Sequence, residues 1–90
     1  MLYRVELSTE AQKQLARLPR HVMERIVSEI DEMEERDDSL WSNTKALQGS
    51  EWKGFYRKRI GSYRIIFMKV PARGVAEISA ILIRSKDTYR

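Results

Sequence analysis

Cysteine is absent from this 90-residue chain, and histidine occurs once. The first absence removes disulfides and thiolate metal sites, and the two together argue against a zinc centre. No stretch approaches the roughly 20 apolar residues of a membrane span. Residues 1–7, Met-Leu-Tyr-Arg-Val-Glu-Leu, alternate polar and apolar where a secretion signal would be unbroken and apolar. A cytoplasmic protein without membrane contact is the expectation. Also missing are a glycine-rich phosphate loop, a nucleophile motif, an acidic cluster for Mg²⁺ and any repeat, linker or low-complexity segment. Catalysis, if there is any, is expected to run without metal or other cofactor. It must also do without a histidine base, because His21 opens a helix on its solvent side, far in sequence from the basic half.

What is present fits one folded domain, residues 1–90, at 42% hydrophobic and 33% charged. The net charge of +4 conceals a division. Residues 1–44 hold 6 Lys and Arg against 10 Asp and Glu, a net of −4, whereas residues 45–90 hold 11 against 3, a net of +8. An excess of that size repels itself and signals an anionic partner. Nucleic acid is favoured over an acidic protein, and both can apply.

Periodicity supplies the elements. Tyr3, Val5 and Leu7 alternate with Arg4 and Glu6 as in a half-buried strand. Ser8 and Thr9 offer an N-cap, and Thr9 with Gln12 fits a capping box for a short helix whose inner face is Ala11, Leu15 and Leu18. Pro19 ends that helix and starts the next, whose stripe is Val22, Ile26, Ile30 and Met33. Residues 40–50 read as a loop or a single helical turn. Three strands follow, over 52–60, 63–70 and 75–84, with turns at Gly61-Ser62 and at Pro71 to Gly74. The expected fold is α+β in the order β-α-α-β-β-β: an antiparallel meander with the first strand at its side and a two-helix hairpin on one face.

Strand parity sorts the cations. Arg57 and Arg59 share one face, while Tyr56, Lys58 and Ile60 share the other, so Lys58 must lie near a sheet edge or snorkel. Arg64 falls with Ile66 and Met68, and Arg84 with Ile78, Ala80 and Leu82. Arginines of three adjacent strands then converge on the face away from the helices. Like charges side by side across strands are destabilising unless an anion offsets them.

Three segments carry a family resemblance: Leu47-Gln-Gly, then Gly54-Phe-Tyr-Arg-Lys-Arg-Ile-Gly-Ser-Tyr-Arg-Ile-Ile-Phe, then Ile83-Arg-Ser-Lys-Asp-Thr-Tyr-Arg. With the element order, they resemble the RelE/ParE toxins of bacterial and archaeal toxin–antitoxin pairs over nearly the whole chain. The RelE-like branch implies an endonuclease that cuts mRNA in the ribosomal A site and is neutralised by a cognate antitoxin protein. The ribose 2′-hydroxyl is the nucleophile there, and a 2′,3′-cyclic phosphate is left. The family's site positions are matched by Arg57, Arg59, Arg64, Arg84 and Tyr89. On that reading Arg64 and Arg84 clamp the phosphate, Tyr89 moves a proton, and Arg57 or Lys86 serves as the acid, lysine being the easier donor. Either Arg84 or Lys86 fills the last basic position. Lys45 and Lys53 join Arg57, Arg59, Arg64 and Arg84 as expected RNA contacts. The antitoxin is expected either across the basic sheet or beside the helices. The ParE branch implies a different target, DNA gyrase, inhibited without nuclease activity, and a relative retaining only antitoxin binding is a third possibility.

Overall fold

Ser8 rather than Thr9 opens the first helix. Its backbone is extended (φ −62°, ψ 163°), and its hydroxyl accepts the Ala11 N–H at 3.1 Å. The capping box does not form, because the Gln12 side chain donates to the Leu7 carbonyl (3.0 Å) instead. The computed structural model describes residues 1–83. Within them lie β1 (Arg4–Leu7), α1 (Thr9–Ala16), α2 (Arg20–Glu35), β2 (Thr44–Ala46), β3 (Phe55–Ile60), β4 (Tyr63–Val70) and β5 (Val75–Ile83). Pro19 is the N-cap of α2, where its missing N–H costs nothing.

The strands make one sheet in the order β1-β5-β4-β3-β2, with β1 parallel to β5 and every other pair antiparallel. The α+β layering and the meander are as expected, with two differences. Residues 44–46, inside the segment expected to be a loop or a turn, form one of the two edge strands. Trp52 sits in a 3-10 turn (Ser50–Trp52) before β3 rather than in the strand.

Both helices cover one face. Ala11, Ile26, Ile30 and Met33 meet Ile60, Ile65, Phe67, Ala76, Ile78 and Ile81 in a single core. Phe67 is fully buried at its centre; Tyr56 stacks on it at 5.5 Å and Trp41 meets it edge-on at 5.7 Å. The Trp41 indole N–H donates to the Met33 carbonyl (2.9 Å), which leaves no orphaned donor beside the aromatic cluster. Side chains also stitch helix to strand. Gln14 accepts the Ile81 N–H at 2.6 Å, and Glu34 accepts that of Val5 at 2.8 Å.

One irregularity changes strand parity. Between β4 and β5 the register slips, Ile66 facing Ala80 but Phe67 facing Ile78, which leaves Ser79 as the extra residue of a bulge. Ile78 therefore belongs to the core with Ile81, while Ala80 and Leu82 lie on the other face. The expected grouping of Ile78 with Ala80 and Leu82 is corrected accordingly.

At the far end of β4, Lys69 donates to Asp38 (2.8 Å) with its ammonium 4.6 Å from the Tyr56 ring centre and 5.3 Å from that of Trp41. Asp38 also accepts from the Met1 amino group, as does Asp37. The hydrogen bond from Lys69, followed by that from Met1, holds the Asp38 carboxyl below its ordinary value. A carboxyl lowered on folding stabilises the fold above its unfolded value of about 3.9 and loses that contribution as pH falls through the folded value. Asp38→Asn is therefore expected to flatten the acid limb: its urea midpoint falls less steeply than the parent's between about pH 5 and pH 2. Equal slopes would show that the pair contributes nothing to stability.

Candidate nucleic-acid interface

Sequence alternation places Arg57 and Arg59 opposite the helices, and the register adds their neighbours. Lys45 of β2 lies directly across from Arg57, and Arg64 of β4 directly across from Arg59. Arg64 in turn faces Leu82 of β5, and Arg57 faces Ile66. Cations from β2, β3 and β4 thus share one surface, and none of these three strands contains an acidic residue. Arg59 and Lys45 are exposed; Arg57 and Arg64 are half-buried, their stems lying along the sheet.

The edge of this surface is hollowed. Asn43, Thr44, Lys45, Arg57 and Arg59 line a shallow depression of about 310 Å³. Asn43 shapes it from an uncommon backbone conformation. Among the described residues it is the one non-glycine with positive φ, at 56°, a region asparagine tolerates better than most residues. Its carbonyl accepts the Arg59 N–H at 3.0 Å, so the turn that launches β2 also fixes the backbone under the cluster. Neither Asn43 nor Thr44 was expected at the site. The available signal was an asparagine followed by a short polar run, which does not distinguish a strand start from any other turn.

Lys58 points the other way and is nearly inaccessible, at 3% exposure. It does not snorkel to water, and it lies one strand in from the β2 edge. Its ammonium donates to the Ser42 carbonyl at 2.8 Å and pairs with Glu29 of α2 at 3.4 Å. A buried charge without such partners would be costly. Here the partners bolt the loop before Asn43 and the middle of β3 to the helix layer. Lys58 supports the cluster from behind and does not belong to it.

The structure brings Lys45, Arg57, Arg59 and Arg64 together. Lys53 follows the 3-10 turn, is exposed, and does not line the depression. Arg84, Lys86 and Tyr89 lie outside the described residues. His21 is exposed on α2, beside Arg25, Ile60 and Tyr63 at a separate shallow pocket near the β3–β4 turn. No helix among the described residues is long and apolar enough to cross a membrane.

Residues 5–88 match the family described as ParE toxin of type II toxin–antitoxin system, parDE. Comparison with curated proteins gives no match. Among solved structures, the chain is similar to one in the RelBE2 toxin–antitoxin complex of Mycobacterium tuberculosis, with a TM-score of 0.78 and 21% identity over 93% of this chain and 100% of that one. It is also similar to one in the archaeal RelE–RelB complex of Pyrococcus horikoshii OT3, with a TM-score of 0.77 and 26% identity over 96% and 99%. The isolated E. coli RelE toxin matches with a TM-score of 0.73 and 17% identity over 93% and 86%.

Proposed function

We propose, from the premise that this chain belongs to the ParE toxin family within the RelE/ParE superfamily, that it is a ribosome-dependent mRNA endonuclease neutralised by an antitoxin. One observation carries the reading. Lys45, Arg57, Arg59 and Arg64 converge from three adjacent strands on the open sheet face, beside a depression formed at the sheet edge. Such a face suits a phosphodiester backbone, which arginine grips with paired donors.

The chemistry asks little more of the protein. The 2′-hydroxyl of the RNA attacks the adjacent phosphorus, the bond to the 5′-oxygen of the next nucleotide breaks, and a 2′,3′-cyclic phosphate and a 5′-hydroxyl result. One proton must leave the 2′-oxygen and one must reach the departing 5′-oxygen. The protein orients the reacting groups and stabilises charge on the non-bridging oxygens, which is the role assigned to Arg64 with Arg57 and Arg59. Arg84, Lys86 and Tyr89 are proposed to complete the site from the C-terminal segment, with Tyr89 and Lys86 moving the two protons and Arg84 sharing the phosphate. Lys45 and Lys53 are proposed to hold flanking RNA.

The antitoxin is proposed to be a separate small protein with an acidic or amphipathic segment; the solved complexes named above hold toxin and antitoxin together. The match to a ParE toxin model favours a second reading, the gyrase inhibition without cleavage that resemblance to the ParE branch implies. Primer extension on mRNA after induction of this chain alone separates the two. Cuts confined to translated regions are expected. Growth arrest without cuts, together with loss of gyrase supercoiling by the purified protein, would replace the first reading with the second.

A further inference from the structure

Two aromatic side chains at the other end of β3 have no part in the core. Trp52 is 42% exposed, and its ring meets that of Phe55 edge-on at 5.6 Å, 86° between planes. Phe55 is half-buried and opposite Met68. By strand alternation it shares its face with Arg57 and Arg59, one strand repeat of roughly 7 Å from the first and two repeats from the second. The turn that presents Trp52 is framed by Gly49 (φ 101°) and Gly54 (φ 87°), with the exposed Lys53 between Trp52 and Gly54. A tryptophan in that position leaves apolar surface in water that burial would otherwise recover. Its ring packs against Phe55, outside the core that holds Trp41, Tyr56 and Phe67.

We infer that Trp52 and Phe55 form a stacking platform for an RNA base next to the phosphate held at Arg57 and Arg59. This rests on the endonuclease reading. Aromatic side chains interleaved with cations along one groove are how single-stranded nucleic acid is held, because every base offers a π face and every step a phosphate. The strip Trp52, Phe55, Arg57, Arg59 sets the two kinds side by side, the aromatic pair at one end and the charge at the other. Lys53, which does not reach the depression, is placed to meet a phosphate beside the platform. The occupant is a nucleobase rather than an apolar protein segment because along β3 the surface runs from Phe55 to the cations Arg57 and Arg59, with Glu51 of the turn and Glu77, across from Met68, as the carboxylates on its other sides.

The test is single-turnover cleavage of mRNA on programmed ribosomes by the purified full chain, with intact mRNA and with mRNAs carrying one abasic nucleotide on either side of the cut. Trp52→Ala is expected to cleave intact mRNA about tenfold more slowly at subsaturating protein, with Trp52→Phe restoring most of the rate. On the abasic mRNA that removes the stacked base, Trp52→Ala and the parent are expected to be equal. Thermal midpoints within a degree or two of the parent's would exclude misfolding. Cleavage of intact mRNA by Trp52→Ala at the parental rate overturns the platform and leaves the endonuclease reading standing. A tenfold deficit that persists on both abasic mRNAs also overturns it, since the role is then structural. Parental cleavage combined with loss of antitoxin neutralisation assigns the platform to the antitoxin and overturns the inference. Absence of cleavage by the parent removes both readings together.

Discussion

Arg64→Ala is expected to slow mRNA cleavage on programmed ribosomes by about 10²- to 10³-fold, the usual loss when one preorganised donor to a developing negative charge is removed. Its position makes it the strongest single candidate among the described cations. It stands on β4, the middle strand of the sheet, with Arg59 directly across on one side and Leu82 on the other. A half-buried guanidinium on a central strand is held more firmly than an exposed one on an edge, and preorganisation is what such stabilisation depends on. Arg64→Lys keeps the charge but loses the planar fork, so it is expected to fall between the parent and the alanine variant. Growth arrest should be relieved in parallel with antitoxin binding retained, as measured by co-purification. Unchanged cleavage by Arg64→Ala would remove Arg64 from the mechanism. Unchanged arrest without any cleavage would favour the gyrase reading.

Phe67→Ala is expected to have the largest effect on stability. Phe67 is fully enclosed, stacked on Tyr56 and met edge-on by Trp41, so truncation leaves a cavity that neighbours from two strands and the Trp41 loop cannot all close. Deletions of this kind cost about 3–5 kcal/mol, and native domains are typically stable by only about 5–15 kcal/mol. For a domain of this size the melting temperature should drop by roughly 15–30 °C. Phe67→Leu, which refills most of the volume, should recover more than half of the loss. Thermal unfolding followed by circular dichroism measures both, and a drop of only a few degrees for the alanine variant would show that the core repacks.

The contrast between these residues shows which features could be read from the sequence. Phe67 and Arg64 sit three positions apart on one strand, hence on opposite faces, and alternation alone separates them. The pairing of Arg57 with Arg59 on the open face was readable for the same reason, as were the apolar stripes of both helices. What escaped depends on contacts distant in sequence. β2 is three residues, Thr-Lys-Ala, with no apolar alternation of its own, and it becomes a strand because β3 offers it a ladder. The bulge at Ser79 interrupts a run of apolar and small residues that reads as a regular strand, so the switch of Ile78 to the core was hidden. Parity put Lys58 on the helix side, but its burial relies on Ser42 and Glu29, 16 and 29 positions away. An aromatic beside alternating residues suits a strand, so the sequence alone puts Trp52 in one. The glycines at 49 and 54, both at positive φ, turn it aside.

The short outer strand has a consequence for self-association. An edge strand presents unpaired backbone groups on which another chain can add, a common start of aggregation. Here that edge is three residues long and has a lysine at its middle, with Arg57 directly behind it and Arg59 two positions further along β3. Two copies approaching edge to edge would press these cations together before their backbones could pair. The charges proposed to draw RNA onto the sheet thus also oppose the pairing of two such edges. Neutralising Lys45 would then weaken two properties at once, affinity for the polyanion and resistance to clumping at high concentration.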